Sequence, residues 1–211
     1  MFRPNTYNIH IMRRFLLFLT FILSLSSLLA VAEEAFPHHE NVKSIKVYIP
    51  TKHEYTSLMK KAFNEWESAS KGKIKFLYVS SPKQAQDIVV FNDMFSGSEL
   101  GMTTAKQMAI CISPQVKRVN GEIQEYCPPN SLSYINVTII TIAAKNPYSY
   151  EKMNNQDIYL VMLHEIGHSL GLNHTNNPND LMYPTKEKRG AKGITQNDIK
   201  ALYDVYGWKY R

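Results

Sequence analysis

Apolar and polar residues alternate along several short stretches of the chain, which is the pattern of half-buried strands. The stretch 44–49 (SIKVYI) is the clearest, because it alternates, is rich in β-branched residues and ends at Pro50. A weaker pattern at 108–113 predicts a short strand in the otherwise featureless region between residues 92 and 130. The predicted strands are 44–49, 73–79, 87–92, 108–113 and 136–143.

Apolar residues recur at three- and four-residue spacing in three other stretches, which predicts helices at 53–70, 155–170 and 195–206. Thr195 and Asp198 open the last helix with the spacing of a capping box. The strands and helices do not alternate strictly, so the pattern predicts an α+β domain, and 211 residues suit one such domain. The first helix has a continuous apolar stripe of Tyr55, Leu58, Met59, Ala62, Phe63 and Trp66.

The first 32 residues have the pattern of a secretory signal peptide. Arg13 and Arg14 precede an apolar run at 15–29, and residues 30–32 (AVA) supply a cleavage site. We therefore predict a signal peptide at 1–32, a mature domain at 33–211 and a secreted, extracellular protein. An uncleaved N-terminal membrane anchor and a periplasmic location are the alternatives. The apolar run is shorter than the ~20 residues that a membrane-spanning helix needs, which favours cleavage.

Charge argues against a nucleic-acid partner, and the cysteines favour a disulfide. The net charge is +6, but three basic residues (Arg3, Arg13 and Arg14) lie in the predicted signal peptide, which leaves 21 basic and 18 acidic residues. The chain has no basic stripe interleaved with aromatic residues. Cys111 and Cys127 both belong to the predicted mature domain, and an even number of cysteines in an exported protein favours a disulfide between them.

The segment 164–168 (HEIGH) places metal-binding chemistry on the second predicted helix. Residues four apart on a helix face the same side, so the imidazoles of His164 and His168 can bind one metal ion. Glu165 lies ~100° around the helix from His164, close enough to reach a water on that metal without being a ligand.

A third histidine, His174, follows at a spacing that needs the helix to end. On a continued helix His174 would point away from the other two histidines. Gly171 can adopt the left-handed conformation that ends a helix, so the chain can turn and bring His174 back to the metal. Three protein ligands leave one position open, as in catalytic zinc sites. The sequence thus predicts one catalytic Zn²⁺ held by His164, His168 and His174, with Glu165 as the general base.

The stretch 164–174 resembles the zinc-binding consensus of the metzincins, H-E-x-x-H-x-x-G-x-x-H. Thr175, the segment 181–184 (LMYP) and the segment 194–207 resemble the matrixins, the matrix-metalloproteinase subfamily. The resemblance implies a twisted mixed sheet of four or five strands with a long first helix, an active-site helix and a C-terminal helix. It also implies that Met182 packs beneath the imidazoles, and that Tyr183 and Pro184 line the cleft beside the pocket for the residue after the cut bond.

Two departures from the matrixins concern further metal ions. No histidine lies between His53 and His164, so we expect the structural zinc of vertebrate matrixins to be absent. Acidic residues are sparse between residues 92 and 155, so Ca²⁺ has no support from the sequence.

The resemblance implies a zinc endopeptidase that hydrolyses peptide bonds in extended protein or peptide substrates. We expect a monomer with no nucleic-acid partner and no stable membrane association after signal cleavage. Two alternatives remain: a second zinc enzyme, an amidase acting on a small substrate, and a non-catalytic zinc-binding interaction protein. Glu165 argues against the last, because a protein that only binds zinc has no need of that carboxylate.

Overall fold

Seven strands and three helices follow one another in the residues that the computed structural model describes, 38–210 apart from 94 and 96. For Tyr134 and Glu187 it describes the backbone, and the predicted signal peptide lies outside the described range. None of the described helices has the length and apolar character needed to cross a membrane. The elements are β1 (Ile45–Tyr48), α1 (Thr56–Ala69), β2 (Phe76–Val79), β3 (Asp87–Asn92), β4 (Gly101–Cys111), β5 (Gln115–Val119), β6 (Glu122–Tyr126), β7 (Leu132–Ala143), α2 (Asn155–Ser169) and α3 (Gln196–Val205).

Five of the strands form one mixed sheet in the order β2-β1-β3-β7-β4. The first four are parallel to their neighbours, whereas β4 runs antiparallel to β7, from the pair Gly101 and Ile142 to the pair Cys111 and Leu132. This arrangement confirms the predicted α+β fold with a four- to five-stranded mixed sheet. It leaves β4 at one edge of the sheet, next to the helix that carries the histidines.

The main hydrophobic core lies between the sheet and the two long helices, α1 and α2. The apolar stripe predicted for α1 faces this core, with Met59, Phe63 and Trp66 fully buried. The indole Nε1 of Trp66 donates a hydrogen bond of 2.9 Å to the carbonyl of Leu163, which joins α1 to α2. Truncating a buried residue of this size typically costs about 3–5 kcal/mol, so the packing of Trp66 between the two helices contributes strongly to stability.

The strand β4 begins seven residues earlier than the predicted strand at 108–113. Its sequence, GMTTAKQMAIC, carries polar residues on both faces, because as an edge strand it is only partly buried. The length of β4 is therefore decided by backbone pairing with β7, and it cannot be read from an alternation of apolar and polar side chains. Strand β7 itself begins at Leu132, four residues before the predicted start.

The hairpin of β5 and β6 was not predicted. Its two-residue turn is Asn120 and Gly121, with φ of 51° and 88°, and this pair is the strongest short-range signal for a hairpin. Almost every residue of the hairpin is exposed, so no apolar periodicity marks it. A disulfide joins Cys111 to Cys127 across its base, with the two Cα atoms 5.7 Å apart.

Two predicted elements are shorter than expected at their N-termini. Helix α1 begins at Thr56 because the preceding residues form turns. The Thr56 hydroxyl lies 2.6 Å from the carbonyl oxygen of Pro50 and 2.7 Å from that of His53, and it stabilises the turns by donating its single proton to one of them at a time. Strand β2 begins at Phe76, because Lys71 and Gly72 have positive φ and the chain is still turning after them.

Candidate metal centre and active-site cleft

Helix α2 carries the first two histidines and is buried on nearly every side, from Ile158 to Ser169. The side chain of Asn154 caps its N-terminus by accepting a hydrogen bond of 2.9 Å from the backbone N–H of Asp157. At the other end Gly171 has φ of 90°, and the N–H of Leu172 donates to the carbonyl of Gly167 at 3.0 Å. This left-handed glycine cap stops the helix and turns the chain back towards it.

The turn brings His174 to the two histidines of α2. The Nε2 atoms of His164, His168 and His174 form a nearly equilateral triangle with sides of 3.2, 3.2 and 3.3 Å. Tetrahedral zinc with bonds of about 2.0–2.1 Å would set its nitrogen ligands about 3.3–3.4 Å apart, so the triangle fits zinc. His174 is exposed, the other two histidines are buried, and all three line the cleft, so a zinc ion held by them would be open to the cleft.

Backbone carbonyls set the tautomers of the two buried histidines. The Nδ1 of His164 lies 2.8 Å from the carbonyl of Leu181, and the Nδ1 of His168 lies 2.7 Å from the carbonyl of Leu172. A carbonyl can only accept, so both Nδ1 atoms carry the proton and both Nε2 atoms offer a lone pair to the metal. Burial lowers the pKa of His168 to about 4 and holds the pKa of His164 well below its ordinary value. Both rings are therefore neutral at neutral pH, as metal ligands must be.

Arg189 lies beside the first ligand, with Nη2 3.1 Å from the Nδ1 of His164. That nitrogen already carries the proton donated to Leu181, so this contact is electrostatic and not a hydrogen bond. The guanidinium instead donates from Nε and Nη2 to the carbonyl of Tyr183, at 3.0 and 2.7 Å. Its charge adds to burial in lowering the pKa of His164.

Glu165 is almost completely buried behind the first histidine. Its Oε2 accepts a hydrogen bond of 2.8 Å from the Oγ1 of Thr103, which also lies 2.9 Å from the backbone carbonyl of Glu165. Burial raises the pKa of Glu165 to about 7, and the hydrogen bond from Thr103 and the charge of Arg189 oppose the rise. A carboxyl group that titrates near neutral pH can both accept and release a proton under ordinary conditions.

Met182 lies in a turn that packs against α2 at Gly167. Its Sδ packs so closely on Gly167 that a Cβ there would be 2.5 Å away. The carboxylate of Asp198 on α3 accepts hydrogen bonds from the N–H groups of Leu181 and Met182, at 3.1 and 3.2 Å. The carbonyl of Met182 accepts from the N–H of Thr175 at 3.1 Å, so this turn also braces the loop that carries the third histidine.

A cleft of about 490 Å³ opens over the three histidines. The residues 98–103 at the start of β4 form one wall, and the residues 184–186 with Arg189 form the other. Pro184 lines the cleft, whereas Tyr183 contributes its backbone carbonyl to the support of Arg189. The remaining lining residues are Tyr148, Val161, His164, Glu165, His168 and His174.

Sequence reasoning missed the residues that support the site from distant elements. Thr103 and Gly101 contact Glu165 from β4, and Thr103 is 62 positions away in the chain, so no local spacing indicates the contact. Asp180 is also buried, and it accepts hydrogen bonds from Thr175, Asn177 and Asn197. It therefore links the loop after His174 to α3.

Each of the curated proteins similar to this chain matches about a quarter to a third of it. Macrophage metalloelastase of Rattus norvegicus is 42% identical over 53 residues, which cover 24% of this chain and 11% of the relative. Neutrophil collagenase of Homo sapiens is 42% identical over 55 residues, covering 25% of this chain and 12% of the relative. Matrix metalloproteinase-15 of Homo sapiens is 29% identical over 68 residues, covering 30% and 10%. The chain thus matches about a tenth of the length of these relatives.

The family comparison extends over nearly the whole described fold. The sequence model of the matrixins matches residues 41–207, which include every element from β1 to α3. The match confirms the resemblance seen in the histidine spacing and in the segment 181–184, and the family is zinc-dependent, in keeping with the geometry of the three histidines. This chain belongs to the matrixin family.

Proposed function

We propose that this protein is a secreted zinc-dependent endopeptidase that hydrolyses peptide bonds in protein substrates, with Glu165 as the general base. The observation that carries the proposal is that three histidine Nε2 atoms lie 3.2–3.3 Å from one another, next to a buried carboxylate, in one open cleft. Membership of the matrixins supports it, as do the relatives named as collagenases and a metalloelastase.

In this proposal His164, His168 and His174 hold the zinc ion through Nε2, with their tautomers set by the backbone as described. Zinc, when bound, supplies Lewis acidity that polarises the scissile carbonyl and makes water more acidic. Glu165 accepts a proton from the attacking water as the new C–O bond forms. It then donates that proton to the nitrogen of the leaving amine as the C–N bond breaks, which returns the carboxylate to its starting state.

The start of β4 is the segment that best suits an extended substrate. Within the described sheet β4 pairs with β7 alone, so its other edge presents backbone N–H and C=O groups beside the cleft. A peptide in extended conformation can add to such an edge as another strand. This mode of binding favours unfolded or flexible protein segments and places a peptide bond over the histidines.

Secretion is part of the proposal and rests on two independent features. The pattern of residues 1–32 is typical of a signal peptide. Within the described residues both cysteines form one disulfide, which persists in oxidising compartments outside the cytosol.

The test is hydrolysis of a denatured protein by the purified, zinc-loaded enzyme, with and without a chelator, beside Glu165→Gln. We expect cleavage by the wild type, none after chelation with recovery on adding zinc, and a loss of about 10²–10⁴-fold in Glu165→Gln with its zinc content unchanged. Glu125→Gln, the same change at an exposed position of the hairpin, is the matched control and keeps full activity.

Two outcomes would reject the proposal in favour of the alternatives. A folded, zinc-loaded wild type that leaves denatured protein intact but hydrolyses small amides would indicate an amidase. If neither is hydrolysed and Glu165→Gln retains the protein's binding behaviour, the protein is a zinc-dependent binding protein.

A further inference from the structure

The first residues of β4 lie in direct contact with the side chain of Glu165. Side chains alternate along a strand, so Gly101 and Thr103 share the face towards α2, whereas Met102 and Thr104 point the other way. Met102 is 44% exposed and Thr103 is 7% exposed, in agreement with this alternation. Each of these two inner-face residues contacts one oxygen of the Glu165 carboxylate.

Thr103 holds one oxygen by a hydrogen bond. Its Oγ1 lies 2.8 Å from Oε2, and both side chains are buried. The backbone carbonyl of Glu165 is a second acceptor at 2.9 Å, but the hydroxyl has a single proton. When Glu165 is ionised the carboxylate is the stronger acceptor, so the bond to Oε2 prevails. Threonine is stiff about χ1, and the direction of this donor is therefore set by the backbone of β4.

Gly101 leaves room for the other oxygen. A Cβ at this position would lie 2.5 Å from Oε1 and 2.5 Å from Cγ of Glu165, far inside van der Waals contact. Oε1 therefore lies against the backbone of Gly101, where both residues line the cleft.

We propose that Thr103 is a positioning residue for Glu165, whose hydroxyl holds Oε2 so that Oε1 is presented to the attacking water. This inference rests on the proposed peptidase function. The strand that orients the general base is also the strand to which we assign the substrate. Substrate bound along β4 and the carboxylate that activates water are thus placed relative to each other by one rigid element.

The test compares Thr103→Val, which removes the hydroxyl and keeps the shape, with Thr103→Ser, which keeps the hydroxyl. We expect kcat for a peptide substrate to fall by about ten- to a hundredfold in Thr103→Val, with KM, zinc content and melting temperature close to those of the wild type. Thr103→Ser should retain most of the activity. Thr51→Val, the same change at an exposed position outside β4, is the matched control and should leave kcat unchanged.

A double-mutant cycle separates positioning from a general effect on the fold. On a Glu165→Gln background, Thr103→Val should lower the residual rate much less than it lowers the wild-type rate, because the carboxylate is already gone. If Thr103→Val does not fold, the comparison of Thr103→Ala with Thr103→Ser isolates the hydroxyl in the same way.

Three results would overturn the inference. One is a kcat within twofold of the wild type in Thr103→Val, and another is an equal loss in Thr103→Val and Thr103→Ser. The third is a loss that accompanies lower zinc content or lower stability in every variant. Because the wild type and Glu165→Gln are measured in parallel, an inactive wild type would instead reject the proposed function itself.

Discussion

The chemistry of the site depends on close contacts between small and large residues on neighbouring elements. Gly101 of β4 and Gly167 of α2 each have a side-chain atom of another residue 2.5 Å from where a Cβ would be. Glu165 occupies the space at Gly101, and Met182 occupies the space at Gly167. Glycine is needed at both positions because of this packing, and neither position has the positive φ that would otherwise require it.

Gly101→Ala should therefore displace the Glu165 carboxylate. Misplacing a reacting group by about 1 Å can cost on the order of a hundredfold in rate, so we expect kcat to fall by about ten- to a hundredfold with zinc retained. Steady-state kinetics with zinc analysis checks this. Gly193→Ala is the control, because the nearest atom to its Cβ, Oε1 of Glu65, is at an ordinary 3.4 Å. Full activity in Gly101→Ala would contradict the close packing.

At the scale of elements, α2 is positioned by contacts with all the parts around it. Trp66 of α1 binds its backbone, Thr103 of β4 binds Glu165, and the turn at Met182 packs beneath Gly167. The turn at Met182 is itself held by α3. Asp198 forms the capping box of α3 with Thr195, and its carboxylate also accepts hydrogen bonds from two N–H groups of the turn. The capping box predicted from the sequence is confirmed. The hydrogen bonds that Asp198 accepts from Leu181 and Met182 are not part of that motif and were not predicted.

Asp198→Asn should destabilise the protein and weaken zinc binding. The carboxylate of Asp198 accepts hydrogen bonds from four donors: the N–H groups of Leu181, Met182 and Thr195 and the hydroxyl of Thr195. In an asparagine side chain one of the two oxygens is replaced by an NH₂ group, which donates and cannot accept. Hydrogen bonds to charged groups are worth about 1.5–3 kcal/mol. We expect the free energy of unfolding to fall by about 2–3 kcal/mol in denaturant titration. Asp204→Asn, the same change at an exposed position of α3, should stay within about 0.5 kcal/mol of the wild type. Equal effects of the two substitutions would contradict the role of Asp198.

At the scale of the whole molecule, the described fold combines a buried core around the histidines with an exposed hairpin closed by the disulfide. The core extends over the sheet and the three helices, and it includes none of the residues of β5 or β6. Ile112, Val116 and Ile123 in and beside the hairpin are among the most exposed apolar side chains of the described residues. The disulfide therefore restrains the chain without adding to the core.

Replacing both cysteines by serine should lower stability while the arrangement of the three histidines survives. Closing a loop of this length, with a separation of 16 residues, contributes about 3 kcal/mol in the chain-entropy account. We expect a melting temperature lower by about 5–10 °C and unchanged zinc content. A reductant should shift the wild type by the same amount and leave the double variant unaffected. Loss of zinc from the double variant would show that the hairpin supports the core.

Local features of the sequence predicted the helices, the strands β1, β2, β3 and β7, and the grouping of the three histidines. The apolar stripe of α1 and the continuous apolar run of β3 indicate which residues are buried. The grouping of the three histidines follows from helical spacing and from the one glycine that ends the helix. Tertiary structure alone decided the length of β4 and the contacts of Thr103 and Gly101 with Glu165. An edge strand is selected by backbone pairing and not by side-chain alternation, and contacts between residues 62 positions apart leave no periodic trace in the chain. The ligands of the metal are thus readable from one helix and its end, whereas the orientation of the base depends on a strand that only folding brings alongside.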